Sequence, residues 1–205
     1  MLRAHELSCL YDDRTVFSNL SLSVNAGELV QISGANGSGK TSLLRILSGL
    51  SRPDSGQVCW QGEPLAAVRD DFHRQMLWLS HKTGVKSALT ADENLRFLHP
   101  HSRLAEREQA LGAIGLAGYE DLPLDQLSAG QQRRVALARL WLTDTRLWML
   151  DEPFTALDVA GIETLTRQLE QHVLAGGSVL MTTHQPLRPL ICPLRAIALN
   201  SEGER

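Results

Sequence analysis

Apolar and polar residues alternate over positions 20–24, the two-residue period of a strand with one buried face. The turn Asn25-Ala26-Gly27 separates this stretch from Leu29-Val30-Gln31-Ile32, a second strand that runs straight into a glycine-rich loop. Residues 43–50 continue as a helix with Gly49 near its end, and residues 57–60 and 76–79 read as further short strands. Strand signals then vanish. From about residue 82 to residue 134 helical stretches dominate, clearest over 91–98 and 104–114, with Gly and Pro breaks between them. Good helix formers run from Gln131 through Leu142. Residues 147–150 are a continuous apolar run, the pattern of a strand buried on both faces. A helix over 159–174, a Gly176-Gly177 stop, a strand over 178–183 and a short strand over 196–199 complete the chain. Strands alternating with helices predict an α/β fold around a parallel sheet. The pattern suggests one domain, with core segments at about 1–81 and 135–205 and a helical subdomain inserted at about 82–134.

The glycine-rich loop is "GANGSGKT", residues 34–41, an ungapped G-x-x-x-x-G-K-[ST] between a predicted strand and a predicted helix. Gly34, Gly37 and Gly39 let the backbone turn tightly and aim N–H groups inward, Lys40 brings a mobile positive charge to phosphate, and Thr41 offers a hydroxyl to Mg²⁺. Such a loop needs a carboxylate on a second strand. Asp151 supplies it at the end of the apolar run, where it would orient Mg²⁺, and Glu152 beside it is the candidate to take a proton from an attacking water. His184 ends another apolar strand at the same predicted sheet edge and is a candidate γ-phosphate contact. A second anion site is predicted at "LSAGQQ": Ser128 is placed as an N-cap, Gly130 exposes bare backbone, and a helix dipole stands behind them.

The chain has 205 residues, is 43 % hydrophobic and 21 % charged, and carries a net charge of −3. This is a globular balance with no single-sign field, so nucleic acid is not an expected partner, and Arg133-Arg134 read as a solvated helix face. No apolar run approaches the roughly 18 residues that span a bilayer, and Arg3, His5 and Glu6 interrupt any signal-peptide core. The expectation is a cytoplasmic chain. Cys9, Cys59 and Cys192 are widely spaced and odd in number, which argues for reduced thiols.

"GANGSGKT", "LSAGQQ", "LWMLDEP", "ALD" at 156–158 and His184, in this order, resemble the nucleotide-binding subunit of ABC transporters over essentially the whole chain. The resemblance implies a P-loop NTPase of ABC type, with a parallel core sheet, an N-terminal antiparallel β subdomain and an inserted helical subdomain. It implies ATP and Mg²⁺, with ATP held by Gly34, Ala35, Asn36, Gly37, Ser38, Gly39, Lys40, Thr41 and Ser42, adenine stacked on Tyr11, and Mg²⁺ at Thr41 and Asp151. It also implies a head-to-tail homodimer formed with ATP. Ser128, Gly130 and Gln131 of one chain would then cover the γ-phosphate held by the other.

One departure stands out. The family usually places a Gln at the strand end that leads into the helical subdomain, and here either His81 or Lys82 occupies that place. His81 could reach a metal-bound water, whereas a charged Lys82 could not ligate Mg²⁺. Residues 81–97 are the expected docking groove for a membrane partner, with Val85, Leu89, Leu95 and Phe97 as its apolar surface.

The H-x-x-G-x-K pattern of His81 to Lys86, "LSAGQQRRVALARLWL" and "LDEPFTALD" look like the cytochrome c maturation, or heme exporter, branch of that family. This implies an ATPase on the cytoplasmic face of the bacterial inner membrane, peripheral to integral membrane subunits of the cytochrome c maturation complex. Its work would be heme export or the release of a heme-loaded carrier. No His/Met/Cys pocket for axial ligation is evident, so no direct heme site is expected. The competing readings are an ATPase subunit of another ABC transporter and a soluble ABC-type assembly switch.

Overall fold

The computed structural model describes residues 1–12, 14–185 and 188–199. Two compact units are distinguished: residues 1–78, 145–152 and 172–205 form the first, and 79–144 with 153–171 form the second. The segment 153–171, which the sequence pattern placed with the core, thus groups with the helical stretch.

The first unit holds two sheets. Strands β1 (Leu2–Tyr11), β2 (Arg14–Val24), β4 (Ser55–Trp60) and β5 (Glu63–Pro64) form an antiparallel sheet in the order β2-β1-β4-β5. Strands β3 (Leu29–Ser33), β6 (Met76–Leu79), β7 (Leu147–Asp151), β8 (Ser178–Thr182) and β9 (Leu194–Ala198) form a second sheet in the order β6-β7-β8-β3-β9. The pairs β7–β8, β8–β3 and β3–β9 are parallel, and every residue of β7 and β8 is buried. Helix α1 (Lys40–Leu47) packs against both β1 and β7, burying Leu43, Leu44, Ile46 and Leu47 in a core shared with Leu2, Phe17, Trp60 and Met149. Each such side chain contributes roughly 2 kcal/mol by leaving water. A short helix, α2 (Arg69–Arg74), adds Phe72, whose ring meets Trp60 edge-on at 5.0 Å.

The pattern of apolar residues overlooked β1 and α2 and shortened β2. β1 does not alternate: its register against β2 shifts between Ala4 and Leu7, between Leu7 and Cys9, and between Cys9 and Leu10. Each irregularity moves the next side chain off the two-residue period.

The second unit contains α3 (Ala91–Leu98), α4 (Leu104–Ala113), α5 (Ala129–Ala138) and most of α6 (Val159–Leu174). α3 starts at a capping box in which Thr90 Oγ1 accepts from Glu93 N and Glu93 Oε2 accepts from Thr90 N. The helix expected over 131–142 begins at Ala129 and ends at Ala138, where the chain tightens into a 3₁₀ turn, Arg139–Trp141, that buries Leu140. Buried Arg107 pairs with Asp92 at 2.5 Å and ties α4 to α3. Leu95 is fully buried, which corrects its assignment to the apolar surface, whereas Phe97 is exposed with Lys86 Nζ 4.1 Å above its ring.

The reading of Arg133-Arg134 as a solvated face is also overturned. Arg133 is only 5 % exposed, and Arg134 makes a 2.8 Å ion pair with Asp158.

His99 closes α3, and its Nε2 is buried with no hydrogen-bond partner. Burial and, secondarily, the charge of Arg139 push its pKa down to about 4. The unfolded chain, with an ordinary imidazole near 6.5, binds the extra proton first. Stability from this residue is therefore complete above about pH 6.5 and is lost as the pH falls toward about 4. Urea midpoints should drop between about pH 7 and about pH 5.5, and by a smaller margin in His99→Gln. Equal drops in both proteins would show that His99 does not carry the effect.

Candidate functional site

The loop between β3 and α1 is shaped by what its glycines exclude. A Cβ on Gly39, at φ 93°, would lie 2.3 Å from Val16 Cγ1 on β2. A Cβ on Gly34 would lie 2.6 Å from Leu199 O and from Ser38 Oγ. The loop thus packs between the β1–β2 hairpin and the end of β9. Inside it, Lys40 Nζ donates to Gly34 O at 2.9 Å and Ala35 O at 3.0 Å. Its partners are neutral carbonyls, and no carboxylate among the described residues cancels its charge. Ser38 is 1 % exposed and its hydroxyl has no hydrogen-bond partner. A buried hydroxyl without a partner is costly, so this loop is fitted to an anion that accepts from Ser38 and attracts Lys40.

The C-terminal edge of the parallel sheet carries a connected set of polar groups. Thr41 Oγ1, in the first turn of α1, donates to Asp151 Oδ2 at 3.0 Å. Thr182 Oγ1, at the end of β8, donates to Asp151 Oδ1 at 2.8 Å and accepts from Glu152 N at 2.9 Å. Glu152 lies at φ 49°, a left-handed conformation unusual for a side chain of its size. His184 meets it twice: His184 N donates to Glu152 Oε2, and Nε2 lies near Oε1, both at 3.3 Å. The structure therefore brings Lys40, Thr41, Asp151, Glu152 and His184 together. Thr182 joins them although nothing in the sequence singled it out beyond its place at a strand end.

Asp151 is 1 % exposed and accepts two bonds from neutral hydroxyls. Thr41 and Asp151 fit the hydroxyl and carboxylate that a phosphate-bound Mg²⁺ uses directly or through water. Tyr11 closes the β1–β2 hairpin opposite Arg14 and is 74 % exposed. It is free to offer a ring face.

In the second unit, Ser128 caps α5: Ser128 Oγ accepts from Gln131 N at 3.3 Å, and Gln131 Oε1 accepts from Ser128 N at 2.9 Å. Gly130 lies under the chain at Ala156, where an added Cβ would meet Ala156 O at 3.1 Å. The "LSAGQ" and "ALD" stretches therefore share one surface. The N–H groups of Ala129 and Gly130 have no acceptor within the described chain. His81 and Lys82 are both exposed in this unit, and the His81 carbonyl accepts from Arg133.

A phosphate-cradling loop before α1, a carboxylate on a neighbouring parallel strand, and a capped glycine helix start define a nucleotide-binding domain of ABC type. The ABC transporter family profile matches residues 17–155, and the chain belongs to this family. The chain is 58 % identical over 203 residues to the cytochrome c biogenesis ATP-binding export protein CcmA of Escherichia coli strain UTI89, covering 99 % of this chain and 98 % of that one. It is also 58 % identical over 199 residues to CcmA of strain K12, covering 97 % and 96 %. Among solved structures, an ATP-binding subunit of an ABC transporter superposes with a TM-score of 0.79 at 26 % identity, over 90 % of this chain and 79 % of that one. An ATP-binding cassette solved as a post-hydrolysis dimer with ADP and Pi superposes with a TM-score of 0.84 at 24 % identity, over 98 % and 97 %.

Thr182 holds both the Asp151 carboxylate and the Glu152 backbone. Thr182→Val keeps the shape but leaves a carboxylate oxygen and an N–H without this partner, at roughly 1–3 kcal/mol for each buried group. The variant should unfold at lower urea and lose kcat more than it raises KM in ATP hydrolysis, while Thr182→Ser should retain both. Wild-type behaviour of Thr182→Val would show that Glu152 is positioned without this bond.

Proposed function

We propose that this chain is the ATP-hydrolysing subunit of an export system serving cytochrome c biogenesis. The hydrogen-bonded set Thr41–Asp151–Thr182–Glu152–His184 carries the hydrolytic part of this reading. The near-full-length likeness to CcmA carries the cargo part. Residues 34–42 hold the phosphates, with Lys40 and the Ser38 hydroxyl turned to them, and Tyr11 stacks on adenine. Mg²⁺, held by Thr41 and oriented through water by Asp151, would neutralise phosphate charge. Glu152 accepts the proton of the attacking water, and His184 holds that carboxylate while its own imidazole addresses the γ-phosphate.

The second anion site serves another copy. In a head-to-tail pair, Ser128, Gly130 and Gln131 of one chain cover the phosphate bound by its partner, so neither chain has a complete site alone. No helix among the described residues is long and apolar enough to cross a membrane. The chain acts as a peripheral subunit on the cytoplasmic face of the inner membrane, docked through residues 81–97 onto integral subunits of the cytochrome c maturation complex. The exposed Phe97 ring beneath Lys86 is the apolar centre of that face. Heme, or the carrier loaded with it, is handled by those partners.

Glu152→Gln keeps the shape and loses the basicity. It should bind ATP normally, slow hydrolysis by roughly 10²- to 10⁴-fold, and accumulate as an ATP-bound pair on gel filtration. Hydrolysis at the wild-type rate would remove Glu152 from its role.

The cargo is tested in cells. A strain carrying only Lys40→Ala should lack mature c-type cytochromes while still making heme and b-type cytochromes. Heme-staining gels and difference spectra read both, and normal c-type levels would point to a transporter with another cargo.

A further inference from the structure

Arg133 lies on α5, and its guanidinium turns away from solvent at 5 % exposure. Its Nη1 donates to Ser80 O at 2.7 Å and to His81 O at 3.2 Å, the two carbonyls that follow β6. A second buried residue fastens the far end of the same segment. Asn94, 2 % exposed on α3, accepts from Lys86 N at 2.7 Å. Its amide donates to Lys86 O at 3.0 Å, Leu89 O at 3.2 Å and Thr90 O at 2.9 Å. Between these clamps lie residues 82–85, where Lys82 and Gly84 are exposed and a Cβ on Gly84 would touch nothing. The segment 80–90 is therefore held by two helices at its ends, and its first clamp sits on the helix that Ser128 caps.

We propose that Arg133 is a positioning residue: its guanidinium ties the chain leaving β6 to α5, so that Ser80–His81 and the Ser128 cap move as one piece when nucleotide is bound or hydrolysed. This rests on the reading above, in which Ser128 covers a partner's phosphate and the segment beginning at His81 is the switch. The chemistry suits the task. An arginine keeps its charge when buried and serves two acceptors from one fixed plane, whereas an ammonium offers a mobile point charge. Two carbonyls at a strand end need donors in any case, and taking them from α5 couples strand end to helix. The two carbonyls it holds, Ser80 O and His81 O, lie outside the phosphate loop. Its loss should leave each chain's own nucleotide affinity intact and weaken only the closure of the shared site, which appears in kcat and not in KM.

The test uses the purified complex of the full chain with its membrane subunits. Arg133→Met keeps the apolar stem and removes the donors. We expect kcat for ATP to fall roughly 3- to 30-fold with KM within about two-fold, and Arg133→Lys to recover part of the loss. In a Glu152→Gln background, Arg133→Met should weaken ATP-dependent pairing by a similar factor. Combined with Ser128→Ala, it should add little further loss, because both act on the same surface. Should Arg133→Met fail to fold, Arg133→Gln, too short for the same contact, carries the comparison. Wild-type kcat and pairing in the substituted protein overturn the proposal. So does a parallel loss of nucleotide affinity and thermal stability, which would mark Arg133 as support for the fold alone. If Glu152→Gln by itself forms no ATP-dependent pair, the shared-site reading fails, and the coupling role falls with it. If Glu152→Gln pairs normally and Arg133→Met pairs equally well, only the coupling role falls.

Discussion

The site depends on how the Asp151 carboxylate is satisfied. A buried carboxylate is costly unless its oxygens accept hydrogen bonds, and the usual solution, an arginine or lysine, also cancels its charge. Here the donors are two neutral hydroxyls, Thr41 on the helix and Thr182 on the neighbouring strand. Each hydroxyl takes one of the two carboxylate oxygens. Lys40 is treated in the mirror-image way, with carbonyls of its own loop as its partners. Under the proposed function this arrangement serves a metal ion at the carboxylate and phosphate at the ammonium. Pairing Lys40 directly with Asp151 would stabilise both and disable both.

The same economy explains Thr182. One hydroxyl donates to Asp151 and accepts from the Glu152 amide, so the residue after the buried strand is fixed while its backbone takes a left-handed turn. Left-handed geometry at a glutamate costs of order 1–3 kcal/mol. It is maintained because the strand before it is wholly buried and His184 holds the carboxylate beyond it. The adjacent carboxylates meet different partners: Asp151 accepts from Thr41 and Thr182, and Glu152 accepts from His184 N.

Parts of this were legible in the residues. β7 announces itself because a parallel strand buried on both faces reads as an unbroken apolar run, β3 and β8 carry enough of the same signal to be found, and the phosphate loop follows from its glycines and Lys40. β1 was hidden because its bulges interrupt the alternation that identifies strands. Thr182 was hidden because a threonine ending a strand is ordinary until the register places it beside Asp151. Arg133 was misread for a related reason. It donates to backbone carbonyls more than fifty positions away, and carbonyls leave no mark in a sequence. Function written in side-chain identity is readable; function written in backbone proximity is not.

Helix starts show where the two kinds of information meet. α2 carries Asp70 and Asp71 in its first turn, α3 Asp92 and Glu93, and α4 Glu106. α6 begins beside Asp158, whose Oδ1 accepts from Gly161 N and whose pKa is held low by that bond and then by Arg134. α1 and α5 differ. Their first turns contain no acidic residue, and their caps are Gly39 and Ser128. An acid at a helix start is normally favourable, worth about 0.3–1 kcal/mol against the dipole. Its omission at these two places sacrifices a little local stability and keeps the positive end of the helix unopposed. That omission is intelligible if a phosphate supplies the missing negative charge, from the chain's own ATP at α1 and from its partner's at α5. The helix with the weaker claim, α5, already uses its Ser128 hydroxyl to satisfy Gln131 N. What it has left for an anion is the backbone of Ala129 and Gly130, and a bare backbone binds only what is brought against it closely. Under the proposed pairing, closure of two chains is what would bring a phosphate to α5, whereas α1 has Lys40 beside it.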